Sequence, residues 1–142
     1  MSVFDFLNIS ASGLSLERLK LDTISTNVAN ANTEQTAAGG PYQKKTIVFE
    51  EAFQKSNQLL ALGGKKSFGV RATEIISDEA EVRAYDPTHP LADQEGYVLQ
   101  SNVNMADEMV DMMTTIRAYD ANITALDAGK NMLKQALTIS SR

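Results

Sequence analysis

Residues 104–139 constrain this chain more than any other stretch. Met105, Met109, Met112, Ile116, Tyr119, Ile123, Leu126, Lys130, Leu133 and Leu137 recur at alternating spacings of four and three. Side chains so spaced line one stripe of an α-helix, and a heptad repeat sustained this long marks helix-against-helix packing. Only Lys130 breaks the apolar character, and the stretch holds no proline and a single glycine, Gly129. Asn104 is placed to cap the first turn, with Asp107 at the third helical position to answer it. Asp107, Glu108 and Asp111 lie at the positive end of the helix dipole, Lys130, Lys134 and Arg142 towards its negative end. The spacing predicts one unbroken helix, and about 36 residues extend roughly 54 Å. A globule of this chain's length is only about 30 Å across. Such a helix cannot be enclosed by the rest of the chain. It must pair with a second helix and with other copies or partners.

That second helix is predicted over residues 4–31. Leu7, Leu14, Leu21 and Val28 fall seven apart, with Ile24 and Ala31 on the second seam position, which Ser10 and Glu17 interrupt. Leu16 and Leu19 widen the stripe beyond what a two-stranded coiled coil needs, which calls for more than one neighbour. The stripe stops in STNVANANTEQ, residues 25–35, where Asn27, Asn30, Asn32 and Thr33 crowd together. Asparagine tolerates the left-handed conformation and bonds to nearby backbone, so this segment reads as a C-cap followed by a loop.

Residues 34–100 differ in character. All three prolines (Pro41, Pro87, Pro90) lie here, with most of the glycines, and Gly39-Gly40-Pro41 and Gly63-Gly64 are turn signals. Strands are predicted over Lys45 to Glu51, Phe68 to Ile76 and Glu81 to Tyr85, with a short fourth over Gly96 to Gln100. Residues 51–62 read as a short helix or a loop. The expected fold is mainly α with a small β module. Long N- and C-terminal helices (1–33 and 101–142) pair as a coiled coil, and the β-rich insertion (34–100) lies between them.

Composition narrows the function. Net charge is −5, which disfavours nucleic acid and anionic membrane as partners. Cysteine is absent, so disulfides, thiolate metal sites and cysteine nucleophiles are excluded. The start, MSVFDFLNIS, lacks the basic and apolar regions of a secretory signal, and no run approaches the length of a membrane span. His89, in YDPTHPLAD, has Asp86 and Asp93 nearby, but a lone histidine with loop carboxylates reads as an exposed turn braced by Pro87 and Pro90. GGKKSFG, residues 63–69, fails the phosphate-loop spacing and reads as a basic loop. Asp107 and Asp111 share a helical face, which dipole complementarity explains without a cation. No catalytic constellation, metal site or cofactor pattern is present, so the expectation is a protein that is not an enzyme and needs no cofactor.

Two motifs carry a resemblance: LDTISTNVANANT, residues 21–33, and YDPTHPLADQEGYVLQSNVNMADEMVDMMTTIRAYDANITALDAGKNMLKQAL, residues 85–137. In these the chain resembles the flagellar rod and hook family. YDPTHPLAD points to its proximal rod members of the C type, and little matches over residues 34–68. The resemblance implies a structural subunit of the bacterial flagellar basal-body rod, needed for motility, whose terminal helices build a helical tube that transmits torque. It implies a periplasmic place, type III export without a cleaved signal, and as partners other copies, sibling rod proteins, the rod-base adaptor and the export apparatus. It also implies that Asn27, Asn30 and Asn32 satisfy backbone groups where the chain leaves the inner wall, and touch adjacent subunits. The expected assembly interface is Leu14, Leu21, Ile24, Asn27, Val28, Asn30 and Asn32 on the first helix. On the second it is Met105, Met109, Met112, Ile116, Tyr119, Ile123, Leu126, Leu133 and Leu137. The alternatives are a rod subunit of the B type, or a cytosolic coiled-coil adaptor or regulatory module, which would explain the seam but not the paired motifs.

Overall fold

The computed structural model describes residues 3–53 and 67–140. In chain order the elements are α1 (Val3–Ala29), β1 (Lys45–Phe53), β2 (Ser67–Ser77), β3 (Val82–Tyr85), β4 (Tyr97–Gln100) and α2 (Met105–Ser140). This is the expected pair of long terminal helices with a small β part between them. Much of the reading of residues 51–62, and the start of the GGKKSFG loop, fall outside the described residues.

The helices run antiparallel. As α1 is followed from Asn27 back to Phe6, the α2 residue facing it advances from Glu108 through Asn122 to Gly129. Gly129 is what allows the last of these contacts. A Cβ there would sit 2.7 Å from Phe6 Cε1, closer than real side chains pack.

The α2 face turned to α1 is rotated from the apolar seam of the sequence. Glu108, Thr115 and Gly129 are buried, and Met112, Tyr119, Asn122, Leu126 and Leu133 are half-buried. This face keeps the spacing of four and three, but only Met112, Tyr119, Leu126 and Leu133 belong to both stripes. The small and polar residues of the other set let α1 come close. Thr115 hides its hydroxyl by donating to Asp111 O at 2.7 Å. On α1 the covered residues are Ser10, Leu16, Ile24 and Asn27.

The β part is two separate antiparallel hairpins, β1–β2 and β3–β4. The first pairs Lys45 with Ser77 and Phe53 with Ser67, with register shifts after Val48 and Glu51. Two strands alone are marginally stable in water, so the hairpin needs support from elsewhere. It lies along α1. Ile47 is buried, Lys20 Nζ stands 4.8 Å from the centre of the Phe49 ring, and Val70 N donates to Ser12 Oγ at 3.2 Å. Gly69, at φ +104°, makes that approach possible, since a Cβ there would run into the Ser12 hydroxyl. The second hairpin pairs Val82 with Gln100 and Tyr85 with Tyr97, over a buried Val98. The rings of Tyr85 and Tyr97 meet edge to face at 5.3 Å.

Candidate assembly interface

Asn27 does more than end a helix. Its side chain is 1% exposed and makes four hydrogen bonds. Nδ2 donates to Lys45 O at 2.9 Å and to Glu108 Oε2 at 3.1 Å. Oδ1 accepts from Tyr42 Oη at 2.9 Å and from Lys45 N at 3.0 Å. One amide thus joins the end of α1, the entry to β1 and the first turn of α2. Glu108, also 1% exposed, is met by Lys44, whose Nζ lies 2.6 Å from its Oε1. The Glu108 carboxylate raises the Lys44 pKa. Burial, reinforced by Glu108, raises that of the Tyr42 hydroxyl. Asn102 completes the junction, accepting from Lys44 N at 2.7 Å and donating to Asp78 O at 2.9 Å.

The other asparagines act locally. Asn30 Nδ2 donates to Thr26 O at 2.9 Å, a helix-end role as expected, and Asn32 is exposed. No described residue other than glycine has a positive φ, so Asn27 and Asn30 serve by bonding and not by adopting the left-handed conformation. At the far side of the loop Asn104 caps α2, its Oδ1 accepting from Ala106 N at 3.0 Å. Asp107 is exposed, and its neighbour Glu108 makes the long-range contacts.

The sequence-predicted interface residues fall into two groups. Ile24 and Asn27 are buried within the chain, and Leu14, Leu21, Val28, Met112, Tyr119, Leu126 and Leu133 lie half-buried along the α1–α2 contact. Met105, Met109, Ile116, Ile123 and Leu137 stand 44%, 54%, 44%, 37% and 70% exposed. Exposed Val110 and Met113 extend that apolar surface. Sequence reasoning also missed Glu108, Tyr42 and Lys44. An acidic residue just off a heptad seam reads as solvated, and only the α1–α2 register shows otherwise.

His89 is half-buried, not exposed as the turn reading expects. Its Nε2 lies 3.1 Å from Glu34 Oε2, and Nδ1 accepts from Leu91 N at 3.3 Å. It ties the β3–β4 loop to the loop after α1. Asp86 and Asp93 cap backbone groups in the same loop: Asp86 accepts from Thr88 N, and Asp93 from Tyr97 N and Glu95 N. Among the described residues no three His, Asp or Glu converge to hold a metal ion, and no helix is long and apolar enough to cross a membrane.

Comparison with known proteins accounts for both halves of this junction. Residues 7–34 match the family model described as flagella basal body rod protein. Residues 94–139 match the C-terminal model of the flagellar basal body rod FlgEFG proteins. The flagellar basal-body rod protein FlgC of Borreliella burgdorferi is 38% identical over 98% of both chains. That of Bacillus subtilis is 37% identical, over 98% of this chain and 99% of its own. That of Salmonella typhimurium is 34% identical over 98% of both. These similarities run across residues 34–68, where the motifs alone match little. The chain belongs to the FlgC family of flagellar basal-body rod proteins.

Proposed function

We propose that this protein is a structural subunit of the proximal flagellar rod, polymerising with copies of itself and sibling rod proteins into a helical tube that transmits torque. The observation that carries this is the apolar stripe of Met109, Ile116 and Ile123, which α1 leaves uncovered while packing on the neighbouring face. A long helix with one face sealed inside its own chain and an apolar face left open is suited to lateral contacts between subunits. Contacts that do not close generate a tube or fibre. In this reading the terminal segments (1–33 and 101–142) form the wall, and residues 34–100 form the outward module that the Asn27 junction holds in place. The protein performs no catalysis and needs no cofactor. It works in the periplasm after export without a cleaved signal, next to the rod-base adaptor and the export apparatus. Complementation of a strain lacking this gene tests the proposal. The wild-type gene should restore swimming, and Ile116→Asp should be exported yet leave cells non-motile. Swimming at wild-type speed with Ile116→Asp would refute the claim that the open stripe builds the rod.

A further inference from the structure

Four of the chain's six methionines, Met105, Met109, Met112 and Met113, fall within nine residues at the start of α2, and the contact with α1 uses only one of them. Met112 is half-buried on the α1 side, whereas Met105, Met109 and Met113 stand 44%, 54% and 52% exposed. At about 100° per residue, these three lie within an arc of about 80° that also holds Ile116 and Ile123, so they belong to the open stripe. Met132 is 67% exposed but lies about 140° round the helix from Met109, off that stripe.

A thioether packs as an apolar group, and in a chain without cysteine it is the side chain that a two-electron oxidant attacks first. Hypochlorous acid converts it to a sulfoxide. The sulfur lone pair takes the oxygen, an S–O bond forms, the O–Cl bond breaks, and chloride and a proton leave. Sulfur is oxidised by two electrons and chlorine reduced by two. The sulfoxide is polar, and burying it in an apolar contact without a hydrogen-bond donor costs free energy.

Resting on the rod reading above, we infer that Met105, Met109 and Met113 form an oxidation site that bars the free subunit from the rod. Hypochlorous acid modifies them while the stripe is open, and the sulfoxides then keep the stripe from packing. Met112 is shielded by the chain's own fold, and Met132 takes up oxygen without effect on assembly.

The purified subunit, titrated with hypochlorous acid and read by peptide mass spectrometry, should gain oxygen at Met105, Met109, Met113 and Met132 at least fivefold faster than at Met112. In cells, a dose given during rod assembly should lower the wild-type chain in isolated basal bodies at least tenfold relative to untreated cells. Met105→Leu/Met109→Leu/Met113→Leu should fall less than threefold relative to its own untreated level. Should the leucine chain not enter the rod at all, polar stand-ins decide. Met109→Gln/Met113→Gln should unfold in urea like wild type yet incorporate at least tenfold less, and Met132→Gln should incorporate at the wild-type level. Oxidation of Met112 as fast as Met109, equal loss of the wild-type and leucine chains, or full incorporation of Met109→Gln/Met113→Gln would overturn the oxidation site. If Ile116→Asp is excluded from the rod in the same strain, only the oxidation site falls. If Ile116→Asp assembles normally, the rod reading itself falls.

Discussion

At the scale of single residues, Asn27 and Glu108 decide how three elements meet. Asn27→Ala removes four hydrogen bonds and strands Tyr42 Oη and one Glu108 oxygen in a buried place, and both backbone polar groups of Lys45 in a half-buried one. Leaving buried groups unpaired costs about 1–3 kcal/mol each, so the variant should lose on the order of 3–5 kcal/mol after partial relaxation, measured by urea unfolding. Asn30→Ala removes one bond to a helix-end carbonyl and should cost about 1 kcal/mol or less. The β3–β4 loop carries a different sensitivity. Bonds from Thr88 to Asp86, and from the Tyr97 backbone to Asp93, hold both carboxyls below their ordinary value. Lowered folded-state values mean a stabilisation fully present above the unfolded carboxylate value and lost as pH falls through the folded one. Amide exchange at Thr88, Glu95 and Tyr97, corrected for intrinsic rates, should therefore be unchanged between pH 5 and pH 7, and protection should drop once pH falls below about 4.

At the scale of elements, α2 has two faces with different tasks. The face on α1 is small and polar enough for close approach, and the adjacent apolar face is left open. Substitutions on the two faces should separate folding from assembly. Leu126 is half-buried on the α1 side, so Leu126→Asp should destabilise the monomer, by several kcal/mol if the charge stays buried and unpaired. Ile116 is 44% exposed, so Ile116→Asp should unfold within about 1 kcal/mol of wild type while abolishing incorporation into the rod. Urea curves of the purified variants, read beside immunoblots of isolated basal bodies, check both. The first hairpin depends on one close approach. Gly69→Ala adds a Cβ at φ +104° against Ser12, and should detach β2 from α1 and speed amide exchange at Val70.

At the scale of the whole molecule, order should grade along the helix pair. The Asn27–Glu108 end is knotted by buried polar bonds, whereas the last turns of α2 have no described partner helix beside them. Amide exchange in the purified subunit should be slowest around Ile24 to Asn27 and Glu108 to Met112. It should be faster by orders of magnitude beyond Leu133, and that end should become protected on assembly. Uniform protection along α2 in the free subunit would contradict this gradient. The two long helices, the four strands and the capping role of Asn104 were legible in the sequence, because periodicity, turn residues and caps are local. The open stripe of Met109, Ile116 and Ile123 was legible as a stripe for the same reason. Which side of α2 meets α1 was not legible. Hydrophobicity favours the seam, but the register is fixed by contacts between residues far apart in the chain: Asn27 with Glu108, and Phe6 with Gly129. A buried acid is tolerable only where an amide and a lysine from other elements arrive to meet it, and that meeting exists only in the folded chain.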